Sequence, residues 1–225
     1  MQVLGIVGGI GSGKTTIANK FAAYPSTYVI NTDDMVEGIL SHPDIQIQMH
    51  RRWEKILDPN LESGLFLGIP TIPITKSIAS KIVFRDTNPE TFNAAELRFL
   101  EDITLRPLLS KVEERLFYYD NEQTNLVVLD CPMLFESGMD KFCDKIACIQ
   151  VLSNQRCKRA SNRSFGKQLS ENEFKIREKL QWSIDEKTKK SDYLIANDDG
   201  FNPDAQIKVL WERIVFSKDE YELKK

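Results

Sequence analysis

Residues Gly5–Ala18 read GIVGGIGSGKTTIA: five glycines, one lysine and two threonines between a short apolar run and a segment with helical spacing. Gly8, four residues, then Gly13, Lys14 and Thr15 match the phosphate-binding loop pattern. The context matches as well. Val3–Val7 reads as a buried strand, and Thr16–Tyr24 sets Ile17, Phe21 and Ala22 at helical spacing. Glycines let successive backbone N–H groups turn inward without Cβ clashes. Gly8, Gly9, Gly11, Ser12 and Gly13, with Lys14, Thr15 and Thr16 at a helix N-terminus, are therefore candidates to surround the phosphates of a nucleotide. Lys14 would reach the β- and γ-phosphates, and Thr15 would offer its hydroxyl to Mg²⁺. The bland alternative is a glycine-rich strand-to-helix turn that binds nothing. The full pattern between a strand and a helix argues against it.

Beyond this loop, Tyr28–Asn31 reads as a second strand, Leu126–Leu129 and Ile146–Leu152 as two more, and Tyr193–Ala196 as a fifth. Helical patterns separate them. Strands alternating with helices predict an α/β fold, a P-loop NTPase-type parallel sheet with helices on both faces. Asp33 or Asp34 could open the helix after the second strand. Residues 35–118 read as mostly helical, interrupted by Pro59, Pro70 and Pro73, with LFLGIPTIPIT as a turn-rich loop. Residues 155–191 are strongly charged and predict two helices. The second opens at SENE, where Ser170 and Glu173 make a capping box. The tail SKDEYELKK is expected to fray.

Composition narrows the class. In 225 residues, 41% hydrophobic content supports a substantial core, and 28% charged residues keep the surface solvated. A net charge of −3 gives no overall pull towards nucleic acid, so any anion site must come from local basic clusters. No apolar run reaches the ~18–20 residues needed to span a bilayer, which excludes a membrane partner and leaves a cytoplasmic protein as the expectation. Cys131, Cys143, Cys148 and Cys157 fit no strong zinc spacing, and His42 and His50 are the only histidines, so reduced structural cysteines are expected.

Three further places carry candidate chemistry. NLVVLD ends at Asp130, where an acidic residue beside the loop could hold Mg²⁺ through water; a helix cap is the alternative. The segment QRCKRASNR supplies Arg156, Lys158, Arg159 and Arg163; Arg159 and Arg163 stand four apart, on one helical face, where they could close over the phosphates as a lid rather than form a solvated basic face. Asp33 follows the second strand. If the acceptor is a hydroxyl, Asp33 could orient it and take its proton; otherwise it caps the next helix.

Together these segments resemble the dephospho-coenzyme A kinase family, whose members phosphorylate the ribose 3′-hydroxyl of dephospho-coenzyme A. The likeness rests on GGIGSGKT, on Asn31, Thr32 and Asp33 at a family Asp-Ala-Asp, and on CPMLFE, through Pro132, Leu134 and Glu136, at a Pro-Leu-Leu-x-Glu motif. It continues through Arg159 and Arg163 as lid arginines, then Gln181, Asp192 and Asn197, in order over residues 3–198. The resemblance implies ATP as phosphoryl donor with Mg²⁺, Asn197 on the nucleotide side, and Asp33, Lys76, Arg106, Pro132 and Glu136 on the acceptor side. This chain departs from the family at Asn31 (for Asp), Lys76 (for Arg), Ala79 (for Leu), Arg106 (for His) and Ile184 (for Arg).

One kinase domain over residues 1–225 is expected: a core of 1–34, 119–154 and 192–217, an acceptor-binding helical region of 35–118, and a lid of 155–191. Two acceptors compete. Asp33, CPMLFE and the motif order favour dephospho-coenzyme A, whereas Arg106 and Lys76 suit the phosphate of a (deoxy)nucleoside monophosphate, as in a bacteriophage-type kinase. A non-catalytic nucleotide switch is the third reading; the chain shows no NKxD-type guanine motif, and the charged lid suits a kinase better.

Overall fold

A computed structural model describes residues 1–57, 65–66, 69–70, 72–88, 91–120, 123–162 and 168–222. They form two compact units, Met1–Asn31 with Val112–Lys225, and Thr32–Lys111.

The first unit is built on five parallel strands: β1 (Gln2–Gly8), β2 (Thr27–Asn31), β5 (Leu126–Asp130), β6 (Lys145–Gln150) and β7 (Tyr193–Ala196), in the order β2-β5-β1-β6-β7. Side chains alternate across a strand. Leu4 and Ile6 of β1, Leu126 and Val128 of β5, and Ala147 and Ile149 of β6 therefore share one face. There they pack on Ile17, Ala18 and Phe21 of helix α1 (Lys14–Phe21) and on Ile207, Leu210, Trp211 and Ile214 of helix α9 (Asp204–Glu222). Each buried Val, Leu, Ile or Phe side chain among them contributes roughly 1.5–3 kcal/mol. Trp211 also donates its indole N–H to Thr27 Oγ1 at 2.9 Å, joining α9 to β2.

Among the described residues three helices lie between β6 and β7: α6 (Ser153–Ser161), α7 (Glu171–Lys179) and α8 (Ile184–Lys190). The sequence predicts two. The Ser170–Glu173 capping box is present at the start of α7, and Ser183 with Glu186 makes a second one that opens α8. The extra helix thus begins at the same kind of signal. Helix α8 lies against β1 and β6. No disulfide links the four cysteines, and burial pushes the Cys143 thiol up to about 12.

The second unit holds α2 (Thr32–Leu40), α3 (Pro43–Leu57), the short strands β3 (Leu65–Phe66) and β4 (Ile69–Pro70), α4 (Lys76–Val83) and the start of α5 (Ala95–Asp120). Helix α2 opens at Thr32, so Asp33 and Asp34 stand in its first turn, where the helix dipole favours carboxylates. The expected turn-rich loop contains an antiparallel pair, Leu65 with Pro70 and Phe66 with Ile69; the remainder of that loop, with Pro59, lies outside the described residues. Polar side chains dock the chain after it onto α3. Gln46 donates to the carbonyls of Leu40 and Ile74 and accepts the Ile74 N–H at 2.8 Å, and His50 Nε2 lies 2.6 Å from the Ile72 carbonyl oxygen. Glu96 ties α5 to α3 by two bonds from Arg52, each 3.0 Å, and one from the Trp53 indole, 2.7 Å. Among the described residues no helix is long and apolar enough to cross a membrane.

Candidate active site

The phosphate loop leaves the C-terminal end of β1 and enters α1 at Lys14. Gly11 and Gly13 lie in left-handed conformations, φ +78° and +84°, which side-chain-bearing residues rarely adopt. At Gly11 a Cβ would also overlap the Arg156 backbone carbonyl, and at Gly13 it would stand 2.6 Å from the Asn197 amide nitrogen, so that side chain would have to shift. Lys14 is largely enclosed, and its ammonium donates to the carbonyls of Gly8 and Gly9, both at 3.0 Å. Ser12 is fully buried, and Thr15 and Thr16 are exposed on the first turn of α1.

Strand alternation explains the partner of Thr15. Asp130 has the parity of Leu126 and Val128, so it faces α1. Thr15 Oγ1 donates to Asp130 Oδ2 at 2.6 Å. Asn31 is the register partner of Asp130 on β2 and donates to the same oxygen at 3.2 Å. A nearly buried carboxylate thus stands at the first turn of the loop helix, oriented by two donors.

Loops after β6 and β7 close the other side. Asn197 donates its amide N–H to the Ser12 carbonyl at 2.8 Å, so the loop after β7 touches the phosphate loop directly. Arg159, expected over the phosphates, donates to the Asn197 carbonyl at 2.8 Å and to Asp199 Oδ1 at 2.6 Å; a nearby carboxylate is its immediate partner. Arg163 lies outside the described residues. Arg156, one turn before Arg159, is 5% exposed. It packs on Gly9 and Gly11, donates to Glu178 Oε1 of α7 at 2.6 Å, and stands over the Phe174 ring.

After Asp130 the chain runs through Pro132 to Glu136. Glu136 Oε1 accepts the Trp182 N–H at 2.8 Å and pairs with Lys187 at 3.0 Å. Within the second unit, Lys76 donates to the Asp33 carbonyl at 2.9 Å and stands 3.4 Å from its carboxylate, while Arg106 is exposed on α5. Asp192 is a structural residue: its carboxylate accepts the Ile146 N–H at 2.9 Å and a bond from Lys145 at 3.1 Å, which raises the Lys145 pKa.

The structure therefore joins Gly8–Thr16 with Asp130 and Asn197, and Asp33 with Lys76. Sequence reasoning placed Arg156 only within a basic cluster, and did not find Asn31 as a donor to Asp130, Asp199 or Lys187. Only Lys187 left a readable trace, a lysine on the Ile184, Lys187, Thr188, Ser191 stripe of an otherwise charged segment. Preorganised N–H donors, a lysine, and a hydroxyl–carboxylate pair at a helix N-terminus are the equipment of phosphoryl transfer from a nucleoside triphosphate.

The dephospho-CoA kinase family model matches residues 77–202. The chain is 29% identical to the dephospho-CoA kinase of Aquifex aeolicus (strain VF5), over 95% of this chain and 98% of that protein. The solved dephospho-CoA kinase of Campylobacter jejuni is similar in fold, with a TM-score of 0.63 at 23% identity, covering 97% of this chain and 100% of that one. The shikimate kinase of Acinetobacter baumannii, solved with shikimate, also shares the fold, with a TM-score of 0.51 at 15% identity over 97% and 95% of the two chains.

Proposed function

The chain belongs to the dephospho-CoA kinase family, and from that premise we propose that it transfers the γ-phosphoryl group of ATP to the 3′-hydroxyl of dephospho-CoA, giving CoA. The observation that carries the ATP half is the Thr15–Asp130 pair, 2.6 Å apart at the N-terminus of the loop helix. Family membership favours a hydroxyl acceptor over the phosphate of a nucleoside monophosphate.

In this reading the loop N–H groups and the N-terminus of α1 hold the triphosphate. Lys14 exchanges its carbonyl partners for phosphate oxygens, and its charge rests against the group in flight. The oxygen-only pair of Thr15 and Asp130 fits Mg²⁺, which keeps water and takes only one or two protein oxygens beside phosphates. Bound there, Mg²⁺ would neutralise charge developing between the β- and γ-phosphates. Asn31 keeps the Asp130 carboxylate turned towards Thr15. Asn197 supports the loop from behind through the Ser12 carbonyl. Arg159 and Arg163 serve as the lid cations.

On the acceptor side, Asp33 orients the 3′-hydroxyl and accepts its proton as the oxygen attacks the γ-phosphorus and the bond to the β-phosphate oxygen breaks. Lys76 holds the Asp33 backbone in place through its carbonyl. Pro132 and Glu136 are the acceptor contacts this reading names in the first unit, and Arg106 the one it names in the second beside Asp33 and Lys76.

The test is direct. The protein is incubated with ATP, Mg²⁺ and, separately, dephospho-CoA and each common (deoxy)nucleoside monophosphate, and products are identified by mass. Phosphorylated dephospho-CoA is the expected product. Turnover of a monophosphate alone would assign the acceptor site to a phosphate and overturn the proposal.

A further inference from the structure

Lys187 is a cation with 0% exposure, among the largest fully enclosed side chains of the described molecule. It stands on α8, which lies against β1 and β6. Its ammonium donates to the Pro132 carbonyl at 3.0 Å and pairs with Glu136 Oε1 at 3.0 Å. The Trp182 N–H reaches the same carboxylate oxygen at 2.8 Å, and the Trp182 ring stacks on Phe135 with centroids 5.3 Å apart. All four contacts fall on one short segment, the one that leaves β5 immediately after Asp130.

Stability is a poor reason for such an arrangement. Desolvating an ammonium and a carboxylate offsets most of their attraction, and apolar residues of similar volume commonly serve packing as well or better. What the pair supplies that a methionine would not is direction. Lys187 and the Trp182 N–H both hold Oε1. Oε2 of Glu136 is buried with no hydrogen-bond partner among the described residues. A carboxylate fixed in this way has one oxygen committed to the fold and one enclosed and unpaired, which an incoming donor reaches when the side chains covering it give way. Its complement is a hydroxyl or amide N–H, not a phosphate.

We propose that Lys187 is a positioning residue of the acceptor side. It touches neither substrate; it sets the Pro132 carbonyl and the Glu136 carboxylate in the orientation in which the acceptor's hydroxyl or amide groups meet them. The proposal rests on the reading of Pro132 and Glu136 as acceptor contacts.

The experiment is steady-state kinetics with ATP and dephospho-CoA on the wild type, Lys187→Met, Glu136→Gln and the double variant. Loss of one hydrogen bond to a charged group corresponds to about tenfold or more. Lys187→Met should therefore raise the acceptor KM by at least about that factor, with the ATP KM within about twofold. The double variant should be no worse than the poorer single variant by more than about threefold, because the two residues act as one unit. An unchanged acceptor KM in folded Lys187→Met, or an equal rise in both KM values, overturns the proposal. If Lys187→Met does not fold alone, the comparison passes to Glu136→Gln with and without Lys187→Met, where no uncompensated carboxylate remains. Matching acceptor KM values there support the proposal; a further tenfold loss for either substrate, or failure of the double variant to fold, overturns it. The underlying reading fails separately, if the wild type does not phosphorylate dephospho-CoA or if Glu136→Gln leaves the acceptor KM unchanged.

Discussion

Asp33 sits in the first turn of α2 with its carboxylate 61% exposed and Lys76 3.4 Å away. An exposed carboxylate can be reached by a sugar hydroxyl, and its basicity is what the hydroxyl needs. Asp33→Asn keeps the shape and one acceptor oxygen but removes that basicity. Turnover of dephospho-CoA should fall ~10²–10⁴-fold. ATP affinity should stay within about threefold, since Lys14, Thr15 and the loop N–H groups are untouched. Turnover within that threefold margin would remove Asp33 from the chemistry. Of the individual positions, those tied to backbone geometry were the legible ones. Gly11 and Gly13 announce left-handed turns, and Asp130 ends an apolar run at a parity that strand alternation fixes. The bond from Asn31 to Asp130 was not legible, because it depends on β2 lying beside β5, and nothing local in the sequence says which strands are neighbours. Arg156 was hidden for a different reason. In a run of cations, nothing marks the one that folds inward onto glycines.

Helices α6 and α7 are fastened to each other and to the loop by the Arg156 guanidinium, which reaches Glu178 at 2.6 Å and the Ile10 carbonyl at 3.4 Å. Glu178 is about one-third exposed, so the pair is partly screened, yet Arg156 itself is enclosed and loses its counter-charge if Glu178 is neutralised. Glu178→Gln should speed amide hydrogen exchange in 153–161 and 171–179 by about tenfold, the equivalent of ~1.4 kcal/mol for one charged hydrogen bond. Exchange indistinguishable from wild type in both helices would show that the pair does not fasten them. The same segment shows where helix signals succeed and fail. Ser170 with Glu173 predicts the start of α7, and Ser183 with Glu186 is the same signal for α8, but α8 is only seven residues long and its apolar stripe is broken by Lys187. The pair Leu65–Phe66 and Ile69–Pro70 left no periodic pattern, since two residues are too few to alternate.

Over the molecule as a whole, the parallel sheet was readable because five apolar runs alternate with helical patterns, whereas its strand order was not. The second unit, Thr32–Lys111, adds polar hubs to its buried apolar residues, and one of these hubs, Glu96, makes it acid-sensitive. Hydrogen bonding from Arg52, with help from the Trp53 indole and against partial burial, lowers the Glu96 carboxyl below its ordinary value. A group lowered on folding adds stability at pH above its unfolded value, about 4.3, and loses it as pH falls through the folded value. Glu96→Gln should therefore lower the unfolding midpoint at neutral pH, and the gap from wild type should close on acidification below about pH 4. A gap constant from pH 7 to pH 3 in denaturant titrations would contradict this. The contact between the Asn197 amide and the Ser12 carbonyl spans 185 positions of the chain. On a ribosome adding about 5–20 residues per second, the loop waits roughly 10–40 s for that partner. The nascent protein is thus made with its phosphate cradle unfinished until Asn197 emerges, and nucleotide retention should follow that residue. Stalled chains that expose residues up to 190 should pass through an ATP-agarose column, and chains that expose residues through 217 should be held by it; equal retention of both would mean that the cradle closes without β7.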